Sequence, residues 1–259
     1  MAQISASIRS QALGFTTHIQ VIIPQQLETP LVPPEKILYL LHGLSGDSTA
    51  WCHHTRIYHY AEKHNYMVVM PEVQRSFYSD MAYGSKYFTY VSDELPAICE
   101  KLFNIKHKRE KTFVAGKSMG GFGAAKCALS RPDFYAAGAC FSGALDMKTR
   151  VEEGKKNNQL LLPETRAILG EGLVYPDTED LFHLATCAAK HETKPRLLIT
   201  CGDSDFLLGE NIRFDAHLAS LNYGHTYKQW PGDHNWDFWE ECLPMAFEFF
   251  NTQMDTQEA

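Results

Sequence analysis

A serine flanked by glycines two positions away on either side, in Gly116-Lys117-Ser118-Met119-Gly120, has the residue types and spacing of a covalent catalyst. The short apolar run Thr112-Phe113-Val114-Ala115 leads into it, and a segment rich in small residues follows until Ser130-Arg131-Pro132. That context predicts a strand, a sharp turn and a helix. G-x-S-x-G in such a turn is a nucleophile elbow, where both glycines avoid Cβ collisions and the serine oxygen is presented at the strand tip. The N-terminus of the following helix also supplies backbone N–H groups where an oxyanion would form. The pentapeptide alone would fit a glycine-rich turn with a solvated serine, so the rest of the chain must supply partners.

A serine hydroxyl needs a base within hydrogen-bond reach and a third group to orient that base. In a sheet of this kind the chain order is nucleophile, acid, histidine. After the apolar run Leu197-Leu198-Ile199-Thr200 comes Cys201-Gly202-Asp203-Ser204-Asp205-Phe206-Leu207, with two carboxylates in one loop. Asp205, three residues after the glycine, is the favoured acid and Asp203 the alternative; both could instead simply cap the next turn, a reading that suits Asp203 better. Of the twelve histidines, His217, His225 and His234 follow that loop. His217 falls in a helical segment and His225 opens the Thr226–Trp230 strand. His234, in Pro231-Gly232-Asp233-His234-Asn235-Trp236, lies between a strand and the last helix, where a general base belongs. An oxyanion hole needs the N–H after the nucleophile, Met119, and a second from an earlier loop. His42-Gly43-Leu44-Ser45-Gly46 offers the Leu44 N–H, with His42 itself read as structural.

The elements that must position these residues follow from the apolar pattern. Continuous apolar runs at 37–41, 67–70, 112–115, 139–141 and 197–200 read as strands buried on both faces. Segments 50–64, 92–104, 119–130, 181–190 and 210–221 between them are long enough for helices. Alternation of this kind gives a mostly parallel central sheet with helices on both faces, and ligands bind beyond the carboxyl ends of its strands. Residues 18–23 read as an antiparallel edge strand, and Pro24 with Pro30, Pro33 and Pro34 as a surface loop. The last helix, about 236–251, carries an aromatic stripe read as core packing, with Pro244 predicting a kink or a late start. Residues 146–180 are charged and lack a clear strand; they read as a small cap insertion over the sheet's carboxyl edge.

With 259 residues and no linker or repeat, one α/β domain spanning 1–259 is the economical reading. A net charge of −7 without a basic block argues against nucleic acid or an anionic membrane as partner. No apolar run approaches the roughly 18 residues needed to span a bilayer, and the first residues lack a leader-like apolar stretch. Seven cysteines without close pairs suit reduced thiols and a cytoplasmic location. The histidines at 53, 54, 59 and 64 lack zincin spacing, and Rossmann and Walker patterns are absent, so neither metal nor cofactor is expected.

Taken together, Tyr39-Leu40-Leu41-His42-Gly43-Leu44-Ser45-Gly46, Gly116-Lys117-Ser118-Met119-Gly120-Gly121-Phe122-Gly123, Phe141-Ser142-Gly143-Ala144-Leu145, the 201–207 loop and Gly232-Asp233-His234-Asn235-Trp236 resemble the esterase D family of α/β-hydrolases. Within it the chain is similar to the tributyrin esterases of lactic bacteria and streptococci. The resemblance covers nearly the whole chain. It implies an α/β-hydrolase fold and a carboxylesterase acting on short acyl esters, with Ser118, Asp205 and His234 as its triad and no cofactor. Relatives also imply a homo-oligomer. The same family contains S-formylglutathione hydrolases, antigen-85-like acyltransferases and feruloyl or acetyl-xylan esterases, so thioester hydrolysis and acyl transfer are the rival activities, and a non-catalytic binding module the rival of another class. Lys117 stands where members often carry His or Leu, and is read as pointing away from the pocket. The segment Phe77-Tyr78-Ser79-Asp80-Met81-Ala82-Tyr83-Gly84 resembles the family's tyrosine-rich loop. The 146–180 region matches least.

Overall fold

A computed structural model describes residues 1–25, 34–157 and 163–255. Pro30 and Pro33 of the expected loop and residues 158–162 of the expected cap lie outside the described residues. The strands are β1 (Ala2–Arg9), β2 (Thr16–Ile23), β3 (Lys36–Leu41), β4 (Tyr66–Pro71), β5 (Thr112–Lys117), β6 (Ala137–Phe141), β7 (Arg196–Gly202) and β8 (His225–Trp230). The helices are α1 (Ala50–His54), α2 (Ile57–His64), α3 (Tyr87–Thr89), α4 (Leu95–Phe103), α5 (Met119–Ser130), α6 (Met147–Lys156), α7 (Glu164–Leu169), α8 (Leu181–Ala188), α9 (Leu208–Ser220) and α10 (Trp236–Asp255). A π-helical turn, Tyr90–Glu94, joins α3 to α4.

The strands form one sheet in the order β1-β2-β4-β3-β5-β6-β7-β8. β1 pairs antiparallel with β2 and β2 antiparallel with β4, while every pairing from β4 through β8 is parallel. Alternation across the pleat explains why the central strands read as unbroken apolar runs. Ile37, Tyr39 and Leu41 enter one core with Val114, Cys140 and Ile199; Leu38 and Leu40 enter the other with Phe113, Ala139 and Leu198. The first core is covered by α4, α5, α8 and α9, and the second by α1, α2 and α10.

Three local expectations change. β2 is antiparallel but not the edge, because β1 pairs along its whole length. Residues 50–64 form two helices, since Thr55 is extended with φ −139° and ψ 168° and its hydroxyl bonds the Trp51 carbonyl at 2.5 Å. α10 starts at Trp236, with no late start, and runs through Pro244. The 146–180 segment contains α6 and α7, and α7 is tied to the tyrosine-rich loop by Ala82 N–H to Ile168 O, 3.0 Å, and Tyr83 N–H to Ala167 O, 2.9 Å.

Parallel pairing sends the chain out at one edge after β3, β5, β7 and β8. The loops that leave there begin at His42, Ser118, Asp203 and Pro231. Each sequence candidate lies in one of these four connections or at the first residue of α5.

Candidate active site

Ser118 is the turn between β5 and α5, and its backbone has φ 55° and ψ −119°, a conformation that L residues rarely adopt. The turn closes because its glycines have no side chains. A Cβ on Gly116 would lie 2.3 Å from the Gly120 carbonyl oxygen, and one on Gly120 would lie 2.3 Å from that of Leu41. The turn is held from both sides: Ser118 N–H donates to Phe141 O at 2.9 Å, and Ser118 O accepts from Phe122 N–H at 3.1 Å and Ala144 N–H at 3.2 Å. The strain is thereby over-determined by neighbouring backbone.

His234 reaches this serine from the β8–α10 loop. Its Nε2 lies 3.0 Å from Ser118 Oγ, and its Nδ1 lies 2.8 Å from Asp205 Oδ2 and 3.0 Å from Oδ1. The loops carrying the acid and the histidine touch through backbone: a Cβ on Gly202 would fall 2.4 Å from the Gly232 carbonyl oxygen. Asp205 is buried and also accepts from Leu207 N–H at 2.8 Å. Burial pushes its carboxyl up, but the hydrogen bonds from His234 and Leu207 outweigh this and hold it below its ordinary value. It therefore stays an anion, and an anion on Nδ1 keeps that proton in place and leaves Nε2 free to accept from the serine. Asp203, the alternative acid, is exposed and accepts from Gly232 N–H at 3.3 Å and Ser204 Oγ at 3.2 Å. It braces the two loops without touching the imidazole. His217 bonds the Phe182 carbonyl at 2.9 Å and His225 bonds Asp215 at 2.8 Å; both are engaged away from Ser118.

The first loop is fixed by His42, which is 1% exposed. Its Nε2 accepts from Val73 N–H at 3.2 Å, so Nδ1 carries the proton and donates to Gly43 O at 2.8 Å. Burial lowers its pKa, which keeps this neutral tautomer. Gly46 N–H donates to the same oxygen at 3.0 Å. In a trans peptide the N–H points opposite the carbonyl, so two donors on Gly43 O fix the direction of the Leu44 N–H. Among the described residues no carbonyl accepts from that N–H. Met119 is the first residue of α5, ahead of the intrahelical ladder, so its N–H is also available. Tyr78, from the tyrosine-rich loop, is buried and donates to His42 O at 2.9 Å, tying that loop to the same turn.

Three residues near the site were not given their observed places by sequence reasoning. Phe206, beside the acid, is 70% exposed and its ring centroid is 4.5 Å from that of His234. Trp239, read only as core, stands perpendicular to His234 at 5.0 Å. Lys117 does turn away from the serine, but its side chain is buried against Trp236 and Trp239. The aromatic residue after the acid was visible in the sequence; the two tryptophans become neighbours of the site only through the fold. Among the described residues no group of three His, Cys, Asp or Glu side chains could hold a metal ion.

An arrangement of serine, imidazole and carboxylate beside two N–H groups without a backbone acceptor among the described residues can carry out acyl transfer through a covalent intermediate. Known proteins bear on that chemistry. A model of the Esterase family matches residues 10–250. An acetyl esterase from Caldicellulosiruptor saccharolyticus is 30% identical over 226 residues, 85% of each chain. The substrate-bound structure of fluorophosphonate-binding serine hydrolase F from Staphylococcus aureus is similar with a TM-score of 0.86 and 32% identity, covering 96% of this chain and 98% of that one. An S-formylglutathione hydrolase from Staphylococcus aureus is similar with a TM-score of 0.83 and 31% identity, over the same shares of both chains. Matched by that model over most of its length, the chain belongs to the Esterase family and is a serine carboxylic ester hydrolase with the α/β-hydrolase fold.

Proposed function

We propose that this esterase hydrolyses short-chain acyl esters through a Ser118–His234–Asp205 triad, as in the tributyrin esterases of the esterase D family. The observation that carries the reading is the single imidazole of His234 bridging Ser118 Oγ at 3.0 Å and the Asp205 carboxylate at 2.8 Å. Ser118 Oγ attacks the ester carbonyl as His234 Nε2 takes its proton. The tetrahedral oxyanion is stabilised by the N–H groups of Leu44 and Met119, the former held in direction by His42. The tetrahedral intermediate collapses to the acyl-enzyme as His234 returns the proton to the departing alcohol. Water, deprotonated by His234, then releases the acid and restores the serine.

Phe122, on the first turn of α5 after Ser118, lines a small cavity with Met147 and Val151 of α6, Ile168 of α7, Tyr175 and Glu179. A small, mostly apolar space this near the elbow supports short acyl groups over long ones. In this reading residues 146–180 act as a cap within a single α/β domain. All seven cysteines are free thiols, which supports a reducing, cytoplasmic setting.

Hydrolysis of p-nitrophenyl acetate, butyrate and octanoate by the wild type beside Ser118→Ala tests the reading. Serine-dependent rates that fall with chain length support it; octanoate as the best substrate would refute the short-acyl assignment. The thioester reading has its own observation, the likeness to a staphylococcal S-formylglutathione hydrolase. It predicts a kcat/KM for S-formylglutathione well above that for any of the three esters.

A further inference from the structure

Lys117 precedes the nucleophile on β5, and alternation along the strand turns its side chain toward the α1–α10 side of the sheet. It is 4% exposed. Its Nζ stands 3.9 Å from the ring centroid of Trp239 and 4.4 Å from that of Trp236. On another side it meets the oxyanion loop, where a Cβ at Gly43 would lie 2.8 Å from Nζ. Among the described residues no carboxylate lies within ion-pairing distance of it. A buried ammonium without an anion is costly, and here indole faces stand in for the counter-ion.

This cage connects the two parts of the site that the covalent chain does not. Gly43 begins the peptide whose N–H faces the oxyanion position, and Trp239 packs perpendicular to His234 at 5.0 Å. We propose that Lys117 is a positioning residue for ester hydrolysis, its caged ammonium joining the oxyanion loop to the aromatic support of His234, so that full activity requires this lysine to be charged. The inference rests on the assignment of Ser118, His234 and Leu44 above. Charge matters in two ways. The ammonium is drawn to the negative indole faces whereas a neutral amine is not, so deprotonation loosens the cage. A fixed positive charge behind the oxyanion loop also favours the negative tetrahedral intermediate.

Burial lowers the Lys117 pKa to about 8, so the charge is lost within the range where an esterase can be assayed. Other titratable groups around the cage are distinguishable. His42, at the end of β3, is buried with a lowered pKa and is neutral throughout this range. On α1, His54 stacks on Trp236 at 4.5 Å and His53 bonds Thr49 at 3.2 Å. Asp47 of the oxyanion loop caps Thr49 at 2.7 Å, and Glu72 accepts from Ser48 N–H at 3.0 Å. On α10, Asp237 is exposed, Glu240 pairs with Arg56 at 2.8 Å and Glu241 accepts from Trp230 at 2.9 Å. An inflection that disappears in Lys117→Met and moves in Lys117→Arg belongs to the lysine and to none of these neighbours.

The test is kcat/KM for p-nitrophenyl butyrate from pH 6 to 10, corrected for spontaneous hydrolysis and normalised to the fraction of enzyme titrated by a fluorophosphonate. The wild type should show a descending limb centred near pH 8 to 9. Lys117→Met should lose that limb and run about tenfold slower at pH 7. Lys117→Arg, which stays charged, should keep most of the neutral activity and hold it up to pH 10. A wild-type profile flat from pH 7 to 10, or a limb unmoved in Lys117→Met, overturns the proposal. Should Lys117→Met not fold, a limb unmoved in Lys117→Arg overturns it equally. Absence of Ser118-dependent turnover in the wild type would instead refute the triad.

Discussion

The α-carbon of Gly120 sits so close to β3 that a side chain there would place its Cβ 2.3 Å from the Leu41 carbonyl oxygen. The helix after Ser118 and the strand leading to the 42–46 loop are thus in backbone contact, and Ser118 and the Leu44 N–H share one rigid frame. Gly120→Ala should cost roughly 1–3 kcal/mol or more of stability by overpacking, and should lower kcat about 100-fold by displacing the elbow. Thermal unfolding and steady-state kinetics on the same preparation check both; a variant with wild-type Tm and kcat would contradict the frame.

The direction of the Leu44 N–H depends on a histidine buried beneath its loop. His42→Ala removes one of two donors to Gly43 O and leaves the Val73 N–H without its acceptor. An oxyanion-hole donor is worth about 10²–10³ in kcat, so the expected loss is about 100-fold in kcat with KM little changed. Loss confined to KM would show that the loop serves binding instead.

The two carboxylates of the 203–205 loop separate sharply by mutation. Asp205→Asn leaves Nδ1 of His234 facing an amide and favours the wrong tautomer, a change that costs about 10⁴ in kcat in triads of this geometry. Asp203→Asn keeps an oxygen for the Gly232 N–H and should fall by less than about threefold, in keeping with its exposed position. Activity lost in the second variant and kept in the first would reverse the assignment.

Stability should decline on the acid side before the carboxylates titrate. His42 and His107 have pKa values lowered chiefly by burial in the folded chain. A depressed folded value means that the unfolded chain binds more protons as pH falls. Their contribution is therefore complete above the unfolded pKa of about 6.5 and is lost as pH drops toward the folded values, with a slope of at most about 1.4 kcal/mol per pH unit for each. Urea unfolding at pH 7.5 and 5.5 should show the decline. Replacing His107 by Gln should flatten it.

Much of this was legible in the chain because parallel strands buried on two faces leave continuous apolar runs. Leu38 and Leu40 face one core while Ile37, Tyr39 and Leu41 face the other, and the same rule marks β4 to β7. The elbow could be read from Gly116 and Gly120, whose absent side chains are a local requirement of the turn. β1 carried its own signal, a strict alternation with Ala2, Ile4, Ala6 and Ile8 on the more buried face. That signal is weak because two of its four inward residues are alanine, which is depleted in strands. The break at Thr55 depends on a side-chain bond to the Trp51 carbonyl and has no glycine or proline to announce it. Lys117 was legible in direction but not in surroundings, since Trp236 and Trp239 join it only when α10 packs on the sheet.

If Ser118 forms the covalent intermediate, a fluorophosphonate probe will be trapped on it. The serine oxygen displaces fluoride at phosphorus while His234 takes the proton, leaving a stable adduct. Intact mass should increase by one phosphonyl group, peptide mapping should place it on Ser118, and ester hydrolysis should vanish in proportion. An adduct on another residue, or full hydrolysis by a protein that the probe never labels, would rule out Ser118 as the nucleophile.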